Sequence, residues 1–165
     1  MEMQFAIGTG RNEHMHEIGD ISQTAERAGF DYITFLDSQN VSRDVYAMLT
    51  IAALNTKTIK IGHGVTVTAT RHPSVTANAT ATIDEISGGR AFVGLGAGWS
   101  AVWTMGQKPA RLKDIRDAVQ FIQRYTAGKT AEYKGATMQS EWIKNPLKVY
   151  IGGGGPKMLR LAGEI

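Results

Sequence analysis

The stretch over residues 59–98 constrains the fold most, because it reads as one complete strand–helix–strand unit. Residues 59–67 are rich in β-branched side chains, and residues 91–95 form a second apolar run that leads into glycines. Between them, Pro73 suits a first helical position and Gly88 a helix end. Apolar residues at helical spacing predict the buried face of this helix: Val75, Ala79, Ile83 and Ile86.

Strands of this kind recur along the chain. We expect them to begin near residues 4, 32, 59, 91 and 148, with amphipathic helices in the intervals. The first three intervals are about 30 residues, which is the length of a βαβ unit. Strict alternation of strand and helix predicts a parallel sheet with helices outside it. An open doubly wound sheet and a (β/α)8 barrel both have this pattern.

The glycine-rich segments favour the barrel. Residues 94–98 read G-x-G-x-G, which is one residue short of the dinucleotide fingerprint, and no acidic residue ends a following strand at the required distance. Residues 152–157 are not a Walker A loop, because Pro156 precedes the lysine. Polar residues or glycines follow every predicted strand, and a barrel builds its active site at that place. The sequence therefore predicts an α/β fold of the (β/α)8 TIM-barrel class.

The chain is shorter than a whole barrel. Such a barrel needs eight strands and about 250 residues, whereas this sequence of 165 residues offers five predicted strands. We therefore expect one domain over residues 1–165 that is the N-terminal part of a barrel, truncated to about five βα units. A fragment, a truncated gene product and a half-barrel that completes itself remain open readings. Because unpaired strand edges promote association, we expect a homo-oligomer.

Composition and charge exclude several function classes. The net charge of +3 is mild and its basic residues are scattered, which argues against a nucleic-acid or membrane surface. There is no cysteine, so thiolate chemistry and disulfides are excluded. His16 and Glu17 begin like a zinc-protease motif without its second histidine, and no metal site is expected. The first ten residues lack a basic leader and a long apolar run, so the expected location is the cytoplasm.

The ordered motifs over residues 62–98 resemble the luciferase-like superfamily of flavin- and F420-dependent oxidoreductases. They read G-H-G-V-T, R-H-P-S-V-T-A, A-T-I-D-E-I-S-G-G-R-A and G-L-G-A-G. The likeness continues through residues 108–128 and 150–165, and it is greatest to the methylenetetrahydromethanopterin reductase branch and related F420-dependent enzymes. Each motif alone is weak, but together and in this order they are specific.

The resemblance implies a luciferase-like (β/α)8 barrel with an isoalloxazine-type ring at the carboxyl ends of its strands. It also implies hydride transfer between reduced coenzyme F420 and a small organic substrate. FMN-dependent monooxygenation is the alternative within the superfamily. A non-catalytic half-barrel that serves as a binding or assembly module is the alternative from another class, and a barrel enzyme acting on phosphorylated metabolites is a third.

Site residues follow from the same resemblance. Gly64 and Val65 correspond to a bulge with a non-proline cis peptide that backs one face of the ring in the family. A glycine there allows the backbone to approach a flat ring, although a glycine needed only for packing is the alternative. Ala97 and Gly98 correspond to positions that contact the ring or its ribityl chain, with a tight turn as the alternative.

Three further residues complete the predicted site. Gly153 and Gly154 precede a predicted helix whose free N–H groups suit a phosphate, so we expect them near the cofactor. Asp37 ends the second strand where many relatives have Asp-His, but here Ser38 replaces the histidine. Asp37 is therefore the remaining candidate for proton transfer, and a carboxylate that braces a loop is the alternative reading.

Aromatic and histidine side chains lie close to these motifs. Trp99, Trp103 and Met105 follow the strand at 91–95 and are expected over the barrel mouth, either as a wall of the substrate pocket or packed on the next helix. His63 and His72 flank the predicted bulge, but a lone histidine beside a glycine is more often structural than ligand-binding.

Overall fold

A parallel β-sheet backed by helices forms the protein, as seen in a computed structural model that describes residues 3–165. The strands are β1 (Ala6–Thr9), β2 (Tyr32–Phe35), β3 (Lys60–His63), β4 (Thr66–Val67), β5 (Ala91–Gly96), β6 (Ala131–Tyr133), β7 (Ala136–Met138) and β8 (Lys148–Gly152). The helices are α1 (Ile18–Arg27), α2 (Val45–Asn55), α3 (Pro73–Ser87), α4 (Ser100–Trp103), α5 (Leu112–Thr126) and α6 (Pro156–Glu164). No helix within residues 3–165 is both long and apolar enough to cross a bilayer.

The main sheet has the order that consecutive βαβ units produce. Its strands run in parallel as β1-β2-β3-β5-β8, and β4 continues β3 along the same side of β5. β6 and β7 form a separate antiparallel hairpin. The predicted parallel sheet with outer helices is confirmed, and β1 and β8 lie at its two edges.

A bulge separates β3 from β4. Gly62 pairs with Phe92 and Thr66 pairs with Leu95, so this side has one residue more than β5 over the same length. The extra residue is accommodated at positions 63–65, and an inserted residue of this kind bends a strand and redirects its side chains.

The helix ends follow the local signals in the sequence. Asp44 caps α2 by accepting a hydrogen bond from the Ala47 N–H at 3.0 Å. Pro73 is the first residue of α3, and Gly88 ends that helix in the left-handed conformation with φ 72°. The predicted start and end of this helix are therefore confirmed.

The predicted buried face of α3 is wrong at both ends. Val75 is 54% exposed and Ile86 is 42% exposed, whereas small and hydroxyl residues face inward. The reason is that α3 packs against α2, α5 and β5, and close approach of so many elements requires short side chains. Thr80 is fully buried, and its hydroxyl donates to the Thr76 carbonyl oxygen at 2.8 Å, which removes the cost of burying it.

The two faces of the sheet differ. The outer face packs on the helices in two apolar clusters, one centred on α1 and α2 and the other on α3 and α5. The concave face carries a cluster of rings from Tyr32, Phe92 and Tyr150, whose centroids lie 5.1–6.1 Å apart with edges against faces. A closed barrel would enclose this face as its interior.

Candidate functional site

The carboxyl ends of the strands form a cleft that brings together most of the residues predicted for the site. Its volume is about 260 Å³. The predicted residues that line it are Asp37, Gly64, Val65, Ala97 and Gly98. A second cleft of about 410 Å³ lies on the concave face and shares Gly64, Val65 and Gly152 with the first. The bulge therefore lies between the two clefts.

The bulge has the backbone form that the resemblance implies. The peptide bond between Gly64 and Val65 is cis, and the Gly64 N–H donates to the Phe35 carbonyl oxygen at 2.8 Å. A Cβ atom at Gly64 would lie 2.5 Å from Thr34 Oγ1. The close contact with Thr34 alone is enough to require glycine at position 64. The contact of this backbone with a cofactor ring therefore stays a prediction.

Three glycines on β5 and β8 make room for the Val65 side chain. A Cβ atom at Gly96 would lie 2.6 Å from Val65 Cγ2, and one at Gly152 would lie 2.9 Å from Val65 Cγ1. A Cβ atom at Gly94 would overlap the His63 carbonyl oxygen and lie 3.3 Å from Val65 Cγ1. We call Gly94, Gly96 and Gly152 the glycine cradle. From the sequence, these glycines were expected only to end strands. The G-x-G spacing in β5 was the one sequence signal for a surface without side chains, because alternate residues of a strand face the same side.

Asp37 is buried in a network of charged and hydroxyl groups, with 2% of the residue exposed. Its Oδ2 atom accepts hydrogen bonds from Thr66 Oγ1 and Arg71 Nη1, both at 2.6 Å, and its Oδ1 atom accepts from Gln39 Nε2 at 2.8 Å. Burial disfavours the Arg71 charge, but the hydrogen bond and charge of Asp37 outweigh it and raise the pKa of Arg71. The network ties the loop after β4 to the end of β2.

The proton-transfer role of Asp37 stays a prediction. The observed contacts orient its carboxylate at the cleft wall, which agrees with either a proton carrier or a loop brace. The sequence motif R-H-P contained Arg71, but its partner lies 34 positions earlier, and only the fold brings the two together.

His63 is fully buried beside this network. Its ring meets Tyr46 edge to face with centroids 5.3 Å apart, and within residues 3–165 neither ring nitrogen has a hydrogen-bond partner. Burial lowers the pKa of His63 to about 4, against the opposing effect of the Asp37 charge. His63 is therefore neutral near pH 7.

His72 has a structural position instead. Its Nδ1 atom accepts from the Ser74 N–H at 3.2 Å and caps α3, while its ring packs edge to face on Tyr133 at 4.9 Å. His72 thus lies at a helix start rather than in the cleft.

A short helix that was not predicted, α4, forms one rim of the cleft. Ser38 donates through its hydroxyl to Ser100 Oγ at 2.8 Å. Thr104 Oγ1 donates to the Gln39 carbonyl oxygen at 2.7 Å, and Asn40 Nδ2 donates to the Thr104 carbonyl oxygen at 3.2 Å. These bonds fix α4 against the loop that follows β2.

Gly153 and Gly154 lie just outside the cleft, between β8 and the start of α6. A Cβ atom at Gly153 would overlap the Met158 side chain, so packing requires this glycine. A Cβ atom at Gly154 would have no atom of the described chain within 4 Å. Open space before a helix N-terminus is compatible with an anion, and a phosphate there stays a prediction.

Comparisons with known proteins agree with this geometry. Residues 2–165 match the family model described as luciferase-like monooxygenase. The chain is 42% identical to 5,10-methylenetetrahydromethanopterin reductase of Archaeoglobus fulgidus, with 99% of this chain and 51% of the relative covered. It is 37% identical to the enzyme of the same name from Methanolobus tindarius, with 99% and 52% covered.

A solved structure extends the likeness to three dimensions. The coenzyme F420-dependent tetrahydromethanopterin reductase of Methanopyrus kandleri superposes with a TM-score of 0.85 at 31% identity, covering 100% of this chain and 54% of that one. The predicted α/β barrel class is thereby confirmed. The chain spans about half the length of the curated relatives that it matches.

Proposed function

The chain belongs to the luciferase-like monooxygenase family, and on that premise we propose that its protein is an oxidoreductase that uses coenzyme F420. The proposed reaction is hydride transfer between reduced F420 and a small organic substrate. The observation that carries the proposal is the Val65 bulge, which is seated in its glycine cradle between the cleft at the carboxyl ends of the strands and the cleft on the concave face. The relatives named above are reductases, and the Methanopyrus kandleri enzyme is F420-dependent.

Four of the residues that line the cleft have short side chains or none. Gly64, Val65, Ala97 and Gly98 thereby offer a surface of backbone and small groups, which supports a flat ring as the ligand. The two clefts, of about 260 and 410 Å³, meet at Val65, and the larger one has the size of a small-molecule site. We propose that these four residues hold the ring and that Gly153 and Gly154 lie near the phosphate-bearing tail.

The chain's own residues have positioning roles in this scheme. When bound, reduced F420 would supply a hydride to an electrophilic carbon of the substrate. Val65 would back one ring face and leave the other face for substrate, because the glycine cradle holds the Val65 side chain beneath the bulge. Asp37 is the candidate proton carrier at the cleft wall, and its bonds from Thr66 and Arg71 set its orientation.

Binding measurements with a matched pair of variants test the proposal. The purified chain is titrated with F420 and with FMN, and we expect F420 to bind more tightly. Val65→Phe exceeds the room in the glycine cradle, displaces the bulge and should weaken F420 binding about tenfold or more. Val75→Phe makes the same change on the exposed face of α3 and should leave binding unchanged.

The outcomes separate the alternatives. Tighter binding of FMN would favour FMN-dependent monooxygenation. A folded chain that binds neither cofactor would contradict the proposal and favour a non-catalytic binding or assembly module. Circular dichroism of both variants shows whether a loss of binding reflects a loss of fold.

The edges of the sheet support a second, coarser proposal. β1 and β8 each have a neighbour on one side within the described chain, and unpaired edges favour association. We propose that this chain forms a homo-oligomer in the cytoplasm and acts on a small-molecule substrate. Light scattering of the purified chain tests the first part, and a monomeric mass across the micromolar range would contradict it.

A further inference from the structure

A separate cavity lies where β2, β3, β5 and β8 begin, at the opposite end of the sheet from the carboxyl ends of the strands. We call it the amino-end cavity, and its volume is about 250 Å³. Three basic residues line it, namely Lys60, Arg90 and Lys148. None of the three lines either of the two clefts described above. They therefore have no part in the site described so far.

The register of the sheet brings Lys60 and Lys148 to the concave face. Lys60 pairs with Tyr32, and Lys148 pairs with Phe92. Residues directly opposite each other in neighbouring strands point to the same face, and the Tyr32 and Phe92 rings meet on the concave face. The hydrogen bond with Tyr150 and the charges of Lys60 and Lys148 lower the pKa of Tyr32, against the effect of burial. Both ammonium groups thus lie within electrostatic reach of one hydroxyl group.

The positive charge of the amino-end cavity is not balanced by the described chain. Among residues 3–165, neither lysine ammonium group has a carboxylate oxygen within 4.0 Å. Asp84 is the one acidic residue among the described residues that line the cavity. Its Oδ1 atom accepts from the Ala91 N–H at 2.9 Å, and burial raises its pKa. A cavity with three cationic side chains and one carboxylate attracts an anion.

The two lysines hold the hydrogen-bond donors that are left for a ligand. Arg90 donates all five of its N–H groups to oxygen atoms of the chain, so it contributes only its charge. The Tyr32 hydroxyl donates to Gln4 Oε1 at 3.1 Å. Lys60 Nζ donates to the Tyr32 hydroxyl at 3.2 Å, which positions the ammonium group and leaves two of its hydrogens free.

We propose that the amino-end cavity binds a phosphate group between Lys60 and Lys148, at a site separate from the one proposed for the cofactor. Ammonium groups form charge-assisted hydrogen bonds with phosphate oxygens, and two lysines without carboxylate partners match the charge of a phosphate group. A volume of about 250 Å³ is smaller than that of a site for a drug-sized molecule, so it suits inorganic phosphate or a small phosphate ester.

Calorimetry with inorganic phosphate and with glycerol 3-phosphate tests the site in the full 165-residue chain. The variants are Lys60→Met, Lys148→Met and the double variant. Lys129→Met is the matched control, because it removes the same charge at an exposed lysine outside the cavity. Sodium chloride at the same ionic strength controls for general screening. The absorbance of tyrosinate, measured against pH with and without phosphate, is the second readout.

We expect each single variant at Lys60 or Lys148 to bind phosphate about tenfold more weakly than the wild type. The double variant should not bind it measurably, and Lys129→Met should stay within about twofold of the wild type. Because bound phosphate repels the Tyr32 phenolate, part of the tyrosinate absorbance should move to higher pH in the wild type but not in the double variant. Tighter binding of glycerol 3-phosphate would identify an ester as the ligand, and tighter binding of inorganic phosphate the free ion; both support the site.

Four results would overturn the inference. Chloride that reproduces the effect of phosphate, or an equal loss in Lys129→Met, would show a general charge effect. F420 affinity that falls in parallel with phosphate affinity would assign Lys60 and Lys148 to the cofactor. A wild-type chain that binds no phosphate would refute the site, and light scattering of the double variant would then show whether a second copy of the chain pairs with the lysines instead. If the wild type binds phosphate but neither F420 nor FMN, the site stands and the proposed function fails.

Discussion

The glycine cradle leads to a quantitative prediction about stability. Gly96 lies in β5, and a methyl group there would come within 2.6 Å of Val65 Cγ2, closer than real Cβ contacts allow. The φ angle of Gly96 is not positive, so alanine brings no backbone penalty. The effect of Gly96→Ala is therefore steric, and overpacking of this kind costs about 2 kcal/mol.

The partner substitution identifies the cause. Val65→Ala removes the two methyl groups that meet the new side chain, and costs about 1 kcal/mol for a partly buried valine. Because alanine at both positions relieves the overlap, the double variant should be more stable than the sum of the single effects by about 1–2 kcal/mol.

Urea unfolding followed by circular dichroism measures the free energy of unfolding of the four proteins. Gly154→Ala is the matched control, because its methyl group would meet no atom of the described chain within 4 Å, and it should change stability by less than about 0.5 kcal/mol. Additive single effects, or a Gly96→Ala variant as stable as the control, would refute the steric argument.

Two further predictions concern the buried groups beside the cleft. The pKa of His63 is about 4 in the folded chain and 6.5 in the unfolded chain. The free energy of unfolding is therefore highest above pH 6.5 and falls by about 3 kcal/mol as the pH is lowered to 4. Urea midpoints measured between about pH 4 and pH 7 should show this loss of stability, and His63→Phe should remove the pH dependence. If the midpoints of His63→Phe depend on pH as those of the wild type do, His63 is not the group responsible. Arg71→Met leaves Asp37 buried without its cation and should destabilise the fold by about 2 kcal/mol in urea unfolding. Arg111→Met breaks a surface ion pair with Asp114 and should not measurably change the free energy of unfolding. Equal destabilisation by Arg71→Met and Arg111→Met would contradict a larger contribution from the buried network.

Local patterns were sufficient for most elements of the fold. The spacing of β-branched runs and the helix start and end signals at Pro73 and Gly88 are properties of short segments, and the observed elements agree with them. A parallel sheet then follows from the alternation alone. Part of the site could be placed in the same way, because parallel strands bring their carboxyl ends to one edge.

The face of α3 shows where local reasoning failed. Apolar periodicity selected Val75 and Ile86, but both are exposed. Periodicity assumes that a helix buries its most apolar stripe against one sheet. In the fold, α3 also meets α2 and α5, and this crowding favours alanine and threonine, whose hydroxyl can bond within its own helix. The sequence of one helix does not indicate how many other helices and strands will pack against it.

The amino-acid order thus determines the βαβ repeat, the helix ends and the edge of the sheet where the site lies, because each depends on residues a few positions apart. The fold alone decides the pairing of Asp37 with Arg71, the glycine cradle around Val65 and the bracing of α4 by residues 38–40. Those contacts join positions about thirty to ninety residues apart, and their energies depend on distances of a few tenths of an ångström that no sequence pattern specifies.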